Sequence, residues 1–207
     1  MKSAPTLAPA AAPAPFLAPV LASVLALAAL SAPALAAPEL YTLDPGHSQI
    51  LFSYNHLGFS TGTGMFSGFE GEIRFDQQDP AASSVTVSFP VNTMLTGWQP
   101  RFEHFMSPDF FGATDDEMVT FTSTGIEVTG DRTALITGDL TLNGVTKPVV
   151  LDALLNQAGI HPMENKPWAG FNATTTLLRS DYNLGLYAPF ISDEVAVTIS
   201  IEAMKAE

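Results

Sequence analysis

The stretch from Gly138 to Val150, GDLTLNGVTKPVV, decides the fold. Two short alternating runs, Asp139 to Leu142 and Val149 to Leu151, flank Asn143-Gly144. That pair suits the positive backbone dihedrals of a tight hairpin turn. Antiparallel sheet follows. Pro148 has no N–H to give to a ladder, so it fits an edge position or the first residue of a strand. The same alternation recurs along most of the chain after residue 40, which makes this hairpin one unit of a larger sheet.

Upstream, Tyr41 to Asp44 predicts a first strand closed by Pro45-Gly46. From Ser48, Ile50, Phe52, Tyr54 and His56 fall on one face and Leu51, Ser53 and Asn55 on the other. Met65 to Phe75 predicts one long strand, with Met65, Ser67, Phe69, Gly71, Ile73 and Phe75 on one side and bending permitted at Gly68 and Gly71. Further strands are expected over Val85 to Val91, Met118 to Thr124, Ile126 to Thr129, Thr133 to Leu142, Val149 to Asn156, Ala169 to Leu178 and Glu194 to Ala203. In the last of these Val195, Val197, Ile199 and Ile201 share a side. One stretch breaks the pattern. Between Trp98 and Phe111, Phe102, Phe105 and Met106 stand at helical spacing behind Pro100, predicting a short helix over 99–107 that ends before Pro108.

About eight strands and one helix predict an all-β, closed antiparallel barrel, because closure removes exposed strand edges. A two-sheet sandwich is the alternative. A barrel of this size is either filled by its own side chains or wide enough for one elongated ligand. Filling the core accounts for most of the many phenylalanines. The cluster from Phe102 to Phe111 is different, since five apolar side chains in one connection are best used covering a cavity mouth or another apolar surface.

Residues 1–36 differ from everything after them. They hold Lys2, no acidic residue, an apolar stretch around Phe16 to Leu30 and a small-x-small end at Ala34-Leu35-Ala36. This predicts a secretory signal cut after Ala36, residues 37–207 forming one domain, and a periplasmic or extracellular location. Prolines at 13, 15, 19 and 33 interrupt the run and argue against a membrane span. The formal net charge is −13, and removing the leader takes away only a lysine. Such a balance disfavours nucleic acid as a partner, and docking on anionic lipid through a basic patch. There is no cysteine, so thiol chemistry, iron–sulfur clusters and cysteine-ligated zinc are excluded.

The polar residues give weaker signals. His47, His56 and His104 have no standard ligand spacing, and a metal site is not expected. His47 is read as a turn residue whose ring bonds the backbone near Pro45-Gly46. Arg101 and His104 share a helix face, either to hydrogen-bond a polar head group or to pair with Asp181 or Asp109. Arg179 and Asp181 are placed on one strand face, pairing with a neighbouring strand. No nucleophile, base and orienting acid converge, because His47 and Ser48 are adjacent in a strand-like stretch and point to opposite faces.

Tyr41-Thr-Leu-Asp44, His47-Ser48, His56-Leu57-Gly58, Gly64-Met-Phe66-Ser-Gly68-Phe69-Glu-Gly71, Arg101, His104, Ser107-Pro-Asp-Phe-Phe111, Thr120-Phe-Thr-Ser-Thr124, the Gly138 hairpin, Arg179-Ser-Asp181 and Ser192-Asp-Glu-Val195 follow one another in the chain. In that order they resemble the YceI-like family of exported lipid-binding proteins. The resemblance implies a lipocalin-like barrel whose apolar channel holds a long polyisoprenoid, such as an isoprenoid quinone or related amphiphile. Phe102, Phe105 and Asn55 stand where members often have an acid, a leucine and a lysine, which makes this entrance more aromatic and less charged.

The expected ligand-binding set is therefore Phe52, Tyr54, His56, Phe66, Arg101, His104, Phe105, Phe110, Phe111 and Phe171, with Arg101, His104 and the neighbourhood of His56 at the polar end. No catalytic residue, metal or cofactor besides the lipid is expected. One five-carbon isoprene unit, at ~0.8 kcal/mol per CH₂, is worth at most about 3 to 4 kcal/mol when buried. Association costs about 4 to 15 kcal/mol, so a few units suffice without an ionic contact. The rival readings are a small exported enzyme acting on an apolar substrate through His104 and a carboxylate, and a ligand-free, stress-related structural module. An exposed apolar lid also suits a homodimer contact or a transient membrane contact.

Overall fold

The structure is a computed structural model that describes Met1 and residues 37–113 and 117–207. The leader expected over residues 1–36 lies outside the described residues, Met1 apart. The elements run β1 (Glu39–Leu43), β2 (Gln49–His56), β3 (Ser60–Phe66), β4 (Glu70–Phe75), β5 (Ser84–Pro90), α1 (Gln99–Met106), β6 (Met118–Val128), β7 (Thr133–Leu142), β8 (Val145–Ile160), β9 (Pro167–Leu178) and β10 (Glu194–Lys205).

These strands form a closed eight-stranded antiparallel barrel in the order β1-β4-β5-β6-β7-β8-β9-β10, with β10 returning to β1. Closure depends on how β10 divides its free edge. One side pairs with β9 from Glu194 to Met204. The other pairs with β2 over Ala196–Ser200 and with β1 over Ala203–Lys205. β1 and β2 are thus two halves of one bent strand, and β3 and β4, which pair with them in turn, are halves of another. At the first bend the chain bulges over Asp44–Ser48 while β10 runs straight past it. Glu202 stays satisfied there, because the Asp44 N–H donates to its carbonyl at 2.8 Å and the buried Ser48 hydroxyl lies 3.4 Å from both its N–H and its carbonyl.

The second bend corrects the expected long strand Met65 to Phe75. It breaks after Phe66 and resumes at Glu70, with Gly68 at φ 72°. The break shifts the alternation by one, so Phe66 joins Phe69, Ile73 and Phe75 in the core instead of facing away from them. Ser60–Gly64, unassigned from sequence, completes a hairpin with β2. The Asn143-Gly144 turn forms as expected, with φ of 49° and 70°, but β8 starts directly after it at Val145 and Pro148 lies inside the strand opposite Asp139. Pro148 keeps an edge there, since β8 pairs with β9 only from Asp152 onward. Met118 to Thr129, expected as two strands, holds one strand, Met118–Val128, with a bulge at Ser123–Gly125.

The registers put four connections at one end of the barrel: the β2–β3 turn, the β7–β8 turn, the β5–β6 connection that carries α1, and the β9–β10 connection. α1 forms where the spacing predicts, with Pro100 in its first turn, and Phe102, Phe105 and Met106 pack against the core. Arg179 and Asp181 are not on a strand face, as expected from sequence, but in a 3₁₀ turn, Arg179–Tyr182, that opens the β9–β10 connection. Asp181 pairs with Lys147. The Arg179 guanidinium donates to the carbonyls of Leu184 at 2.5 Å, Ser192 at 2.9 Å, Ile191 at 3.0 Å and Leu186 at 3.3 Å. A rigid five-donor fork can fold a loop around itself in this way, and a lysine cannot.

Two predictions follow from these contacts. Arg179→Met leaves several carbonyls without a donor, and is expected to lower stability by about 1 to 3 kcal/mol in urea unfolding. Arg179→Lys should recover only part of that loss, and full recovery would contradict the fork. The second concerns the first bend, where the His47 ring and Asp44 carboxylate meet at 2.6 Å. The bond to Asp44 raises the His47 pKa, and the same bond holds Asp44 below its ordinary value. The His47 contribution is full below the unfolded imidazole pKa and fades as pH rises through the raised one. The Asp44 contribution is full above the unfolded carboxylate pKa and fades as pH falls through the lowered one. Both are present between roughly pH 4 and 6.5. Solvent exposure keeps the effect small. His47→Gln should therefore lower Tm more near pH ~5.5 than near pH ~8.5, and the opposite order would contradict the sign.

Candidate functional site: an aromatic-walled barrel cavity

A cavity of about 1080 Å³ runs through the barrel, from His56, Arg101 and Tyr187 at the loop-rich end to Pro80, Asp131 and Arg132 at the other. Its wall is mostly apolar. The face of β2 that carries Ile50, Phe52, Tyr54 and His56 points into it, as does the face of β10 that carries Val195, Val197, Ile199 and Ile201. Side chains from β5 to β9, among them Val87, Phe121, Ile136, Leu151 and Ala173, complete the lining.

The cavity stays hollow despite its aromatics because several rings lie against the wall over glycines. Phe52 is opposite Gly64 and Tyr54 opposite Gly62 in the β2–β3 register. A Cβ on Gly64 would come within 2.2 Å of the Phe52 ring, and one on Gly62 within 2.3 Å of Tyr54. Phe121 uses the space over Gly138 in the same way, at 2.4 Å. Each ring thus covers a neighbouring strand instead of crossing the bore, the packing known as aromatic rescue of glycine.

The rings also form continuous tracks. Phe69, Phe89, Phe66 and Phe52 follow one another at centroid separations of 4.9, 5.1 and 5.5 Å. Near the loop-rich end Tyr54, Phe105, Phe110 and Tyr187 follow at 6.3, 5.5 and 6.4 Å, tying α1 and the β9–β10 connection to the barrel wall. Phe75 and Phe171 meet edge to face at 5.4 Å. Such tilted and edge-on geometries are the favoured ones for aromatic pairs.

All ten residues expected at the ligand site lie on the cavity wall: Phe52, Tyr54, His56, Phe66, Arg101, His104, Phe105, Phe110, Phe111 and Phe171. Polar groups around the loop-rich end include His56, Ser60, Arg101, His104, Arg179, Tyr182 and Tyr187. Arg101 donates to the Thr96 carbonyl at 3.1 Å, His104 Nε2 is 3.7 Å from the Asp109 carboxylate, and the His104 and Phe110 ring centres are 5.0 Å apart. The Arg101 and His104 partners are thus Thr96 and Asp109, and Asp181 is taken by Lys147. Burial lowers the Arg179 pKa from its ordinary value, with Asp193 and Tyr54 opposing.

Sequence reasoning missed Gly62, Gly64 and Gly138 as parts of the wall, and missed Tyr182 and Tyr187. The glycines had a readable signal, since each falls on the inward phase of a strand beside a neighbour that carries an inward aromatic residue. The two tyrosines sit in a connection without periodicity and had none.

The histidines separate. His56 and His104 line the cavity, whereas His47 stands with Asp44 and Glu202, whose ligand atoms lie within 4.8 Å of one another. His47 bonds the Asp44 carboxylate and not the backbone, which corrects the sequence reading. The Glu202 carboxylate already accepts from the Trp168 indole at 3.0 Å. Ser48, next in the chain, is committed to the Glu202 backbone.

The YceI-like domain family model matches residues 41–203. A UPF0312 protein of Ectopseudomonas mendocina (strain ymp) is 37% identical over 182 residues, covering 86% of this chain and 93% of the relative. Among solved structures, Burkholderia cenocepacia BcnA superimposes with a TM-score of 0.70 at 21% identity, over 77% of this chain and 98% of that one. A domain from Saccharophagus degradans described as polyisoprenoid binding gives a TM-score of 0.61 at 15% identity, over 80% and 98%. These two share the fold. With its family model spanning nearly all of the barrel and a relative this similar, the chain belongs to the YceI-like family.

Proposed function

We propose that this protein is an exported, periplasmic carrier that encloses the tail of a long isoprenoid lipid, quinone-like or polyprenyl, inside the barrel. The observation that carries the reading is the continuous apolar cavity of about 1080 Å³. An apolar cavity of about 150 Å³ holds one benzene, about 25 Å³ per carbon, so this one has room for on the order of 40 carbons. That ceiling suits a long prenyl chain and is far more than a small metabolite needs. The Saccharophagus degradans domain, described as polyisoprenoid binding on the same fold, supports the choice of ligand class.

Burial of hydrocarbon drives the binding in this reading. The polar groups around Arg101, His104 and His56 orient the head, and the Phe105 and Phe110 rings cover the tail beneath it. Binding, not turnover, is the role these positions serve. The His104 ring has an exposed aspartate at 3.7 Å and the Phe110 ring beside it, and Ser48 and His47 are held by separate backbone and carboxylate partners.

Native mass spectrometry of the protein purified from cells should show a bound isoprenoid, or uptake of a prenyl quinone analogue after delipidation. Empty protein with no uptake would overturn the proposal. Phe105→Asp or Phe110→Asp should abolish retention while the far-ultraviolet dichroism of the sheet persists. Gly64→Val pushes the Phe52 ring into the bore, so it should weaken long-tailed analogues more than short ones, at a stability cost of about 1 to 3 kcal/mol. Equal loss for both lengths would count against the bore as the tail site.

A further inference from the structure

The loop-rich end carries a second feature that the cavity does not absorb. Leu57, Phe59, Leu186, Tyr187 and Phe190 are all exposed there, Phe59 at 91% and Phe190 at 74%. They form one ledge, because the β2–β3 turn and the β9–β10 connection are bonded side by side. The Leu57 N–H donates to the Phe190 carbonyl at 3.2 Å, the Ser192 N–H donates to the Asn55 carbonyl at 3.0 Å, and His56 bridges Ile191. The ledge adjoins the cavity, since His56, Tyr187 and Ile191 line both.

Backbone strain marks the same place. Five non-glycine residues among those described have left-handed φ, and three are asparagines. The other two are Leu57 at 57° and Tyr187 at 67°, both on the ledge. A bulky residue in that region is an outlier for which asparagine or glycine would be easier. At Leu57 the turn is a tight one, with Gly58 also at positive φ and the Phe59 N–H closing onto the His56 carbonyl at 3.0 Å. An Asn-Gly pair already serves this geometry at residues 143–144. Strain retained together with exposed apolar side chains points to function.

Charge completes the pattern. The chain carries 21 acidic residues, yet Asn55–Phe69 and Tyr182–Ser192 contain no Asp, Glu, Lys or Arg. Such an uncharged, apolar strip on an acidic protein fits a surface that is itself apolar and requires no counter-charge. We propose that the ledge is the docking surface for a lipid bilayer, with Phe59 and Phe190 entering the interface so that the cargo passes between membrane and cavity without crossing water. This rests on the carrier reading, because a polyisoprenoid resides in a bilayer.

The test uses the chain from Ala37, whose barrel strands all pair with one another. It is floated with phosphatidylcholine vesicles, and with vesicles that also contain phosphatidylglycerol. Binding to phosphatidylcholine is expected, without strengthening by the anionic lipid. Neither Phe59 nor Phe190 lines the cavity, so Phe59→Asp and Phe190→Asp should each weaken flotation about tenfold or more. Both should still take up a detergent-solubilised prenyl quinone analogue. The inference is overturned if the parent does not float, if the variants float equally well, or if light scattering shows a dimer that these variants split, which would make the occupant a second copy. Loss of analogue uptake by the parent would instead strike the carrier reading.

Discussion

Where an aromatic ring goes when it points into a barrel decides whether the barrel is solid. In this protein Phe52, Tyr54 and Phe121 point inward, and each is laid flat because the strand beside it offers a glycine where a side chain would stand. The contacts are too close for even a methyl group. Rings that would otherwise meet across the axis become wall, and a cavity of about 1080 Å³ survives in a domain of ordinary size. Hollow interiors are costly when nothing occupies them, since the lining loses dispersion partners. The arrangement makes physical sense if an apolar ligand supplies those partners.

The rest of the architecture serves that hollow. Two bent strands build the wall in two halves, β1 and β4 on one side of the bends and the β2–β3 hairpin on the other. The β5–β6 connection bearing α1 and the β9–β10 connection, gathered around Arg179, lie at the same end. The ring track Tyr54, Phe105, Phe110 and Tyr187 joins them, so the cover and the wall share one packing surface. Polar groups lie at both ends of the cavity, His56, Arg101 and His104 at the loop-rich end and Asp131 and Arg132 at the other.

Much of this was legible in the sequence. Asn143-Gly144 marked its turn, the alternation in β2 and β10 grouped the residues that share a face, and Pro100 with Phe102, Phe105 and Met106 marked α1. The failures have physical causes. Gly68 at positive φ broke the run from Met65 to Phe75 and moved Phe66 to the other phase, and alternation alone does not register a one-residue shift. Pro148 sits within a long strand because β9 has not yet joined β8 there, a fact of register and not of local sequence. Arg179 and Asp181 read as a strand face because nothing local reveals that the arginine folds a loop around its own guanidinium.

The central claim is that inward rings resting on glycines hold open an axial cavity that a hydrocarbon tail fills. The most direct measurement is a crystal structure of the protein purified from lipid-containing cells without delipidation. The account predicts elongated density along the axis between the Phe171 and Tyr187 rings, with Phe52 and Phe121 flat over Gly64 and Gly138. Rings turned across the bore, with the axis filled by the protein's own side chains and no such density, would contradict it.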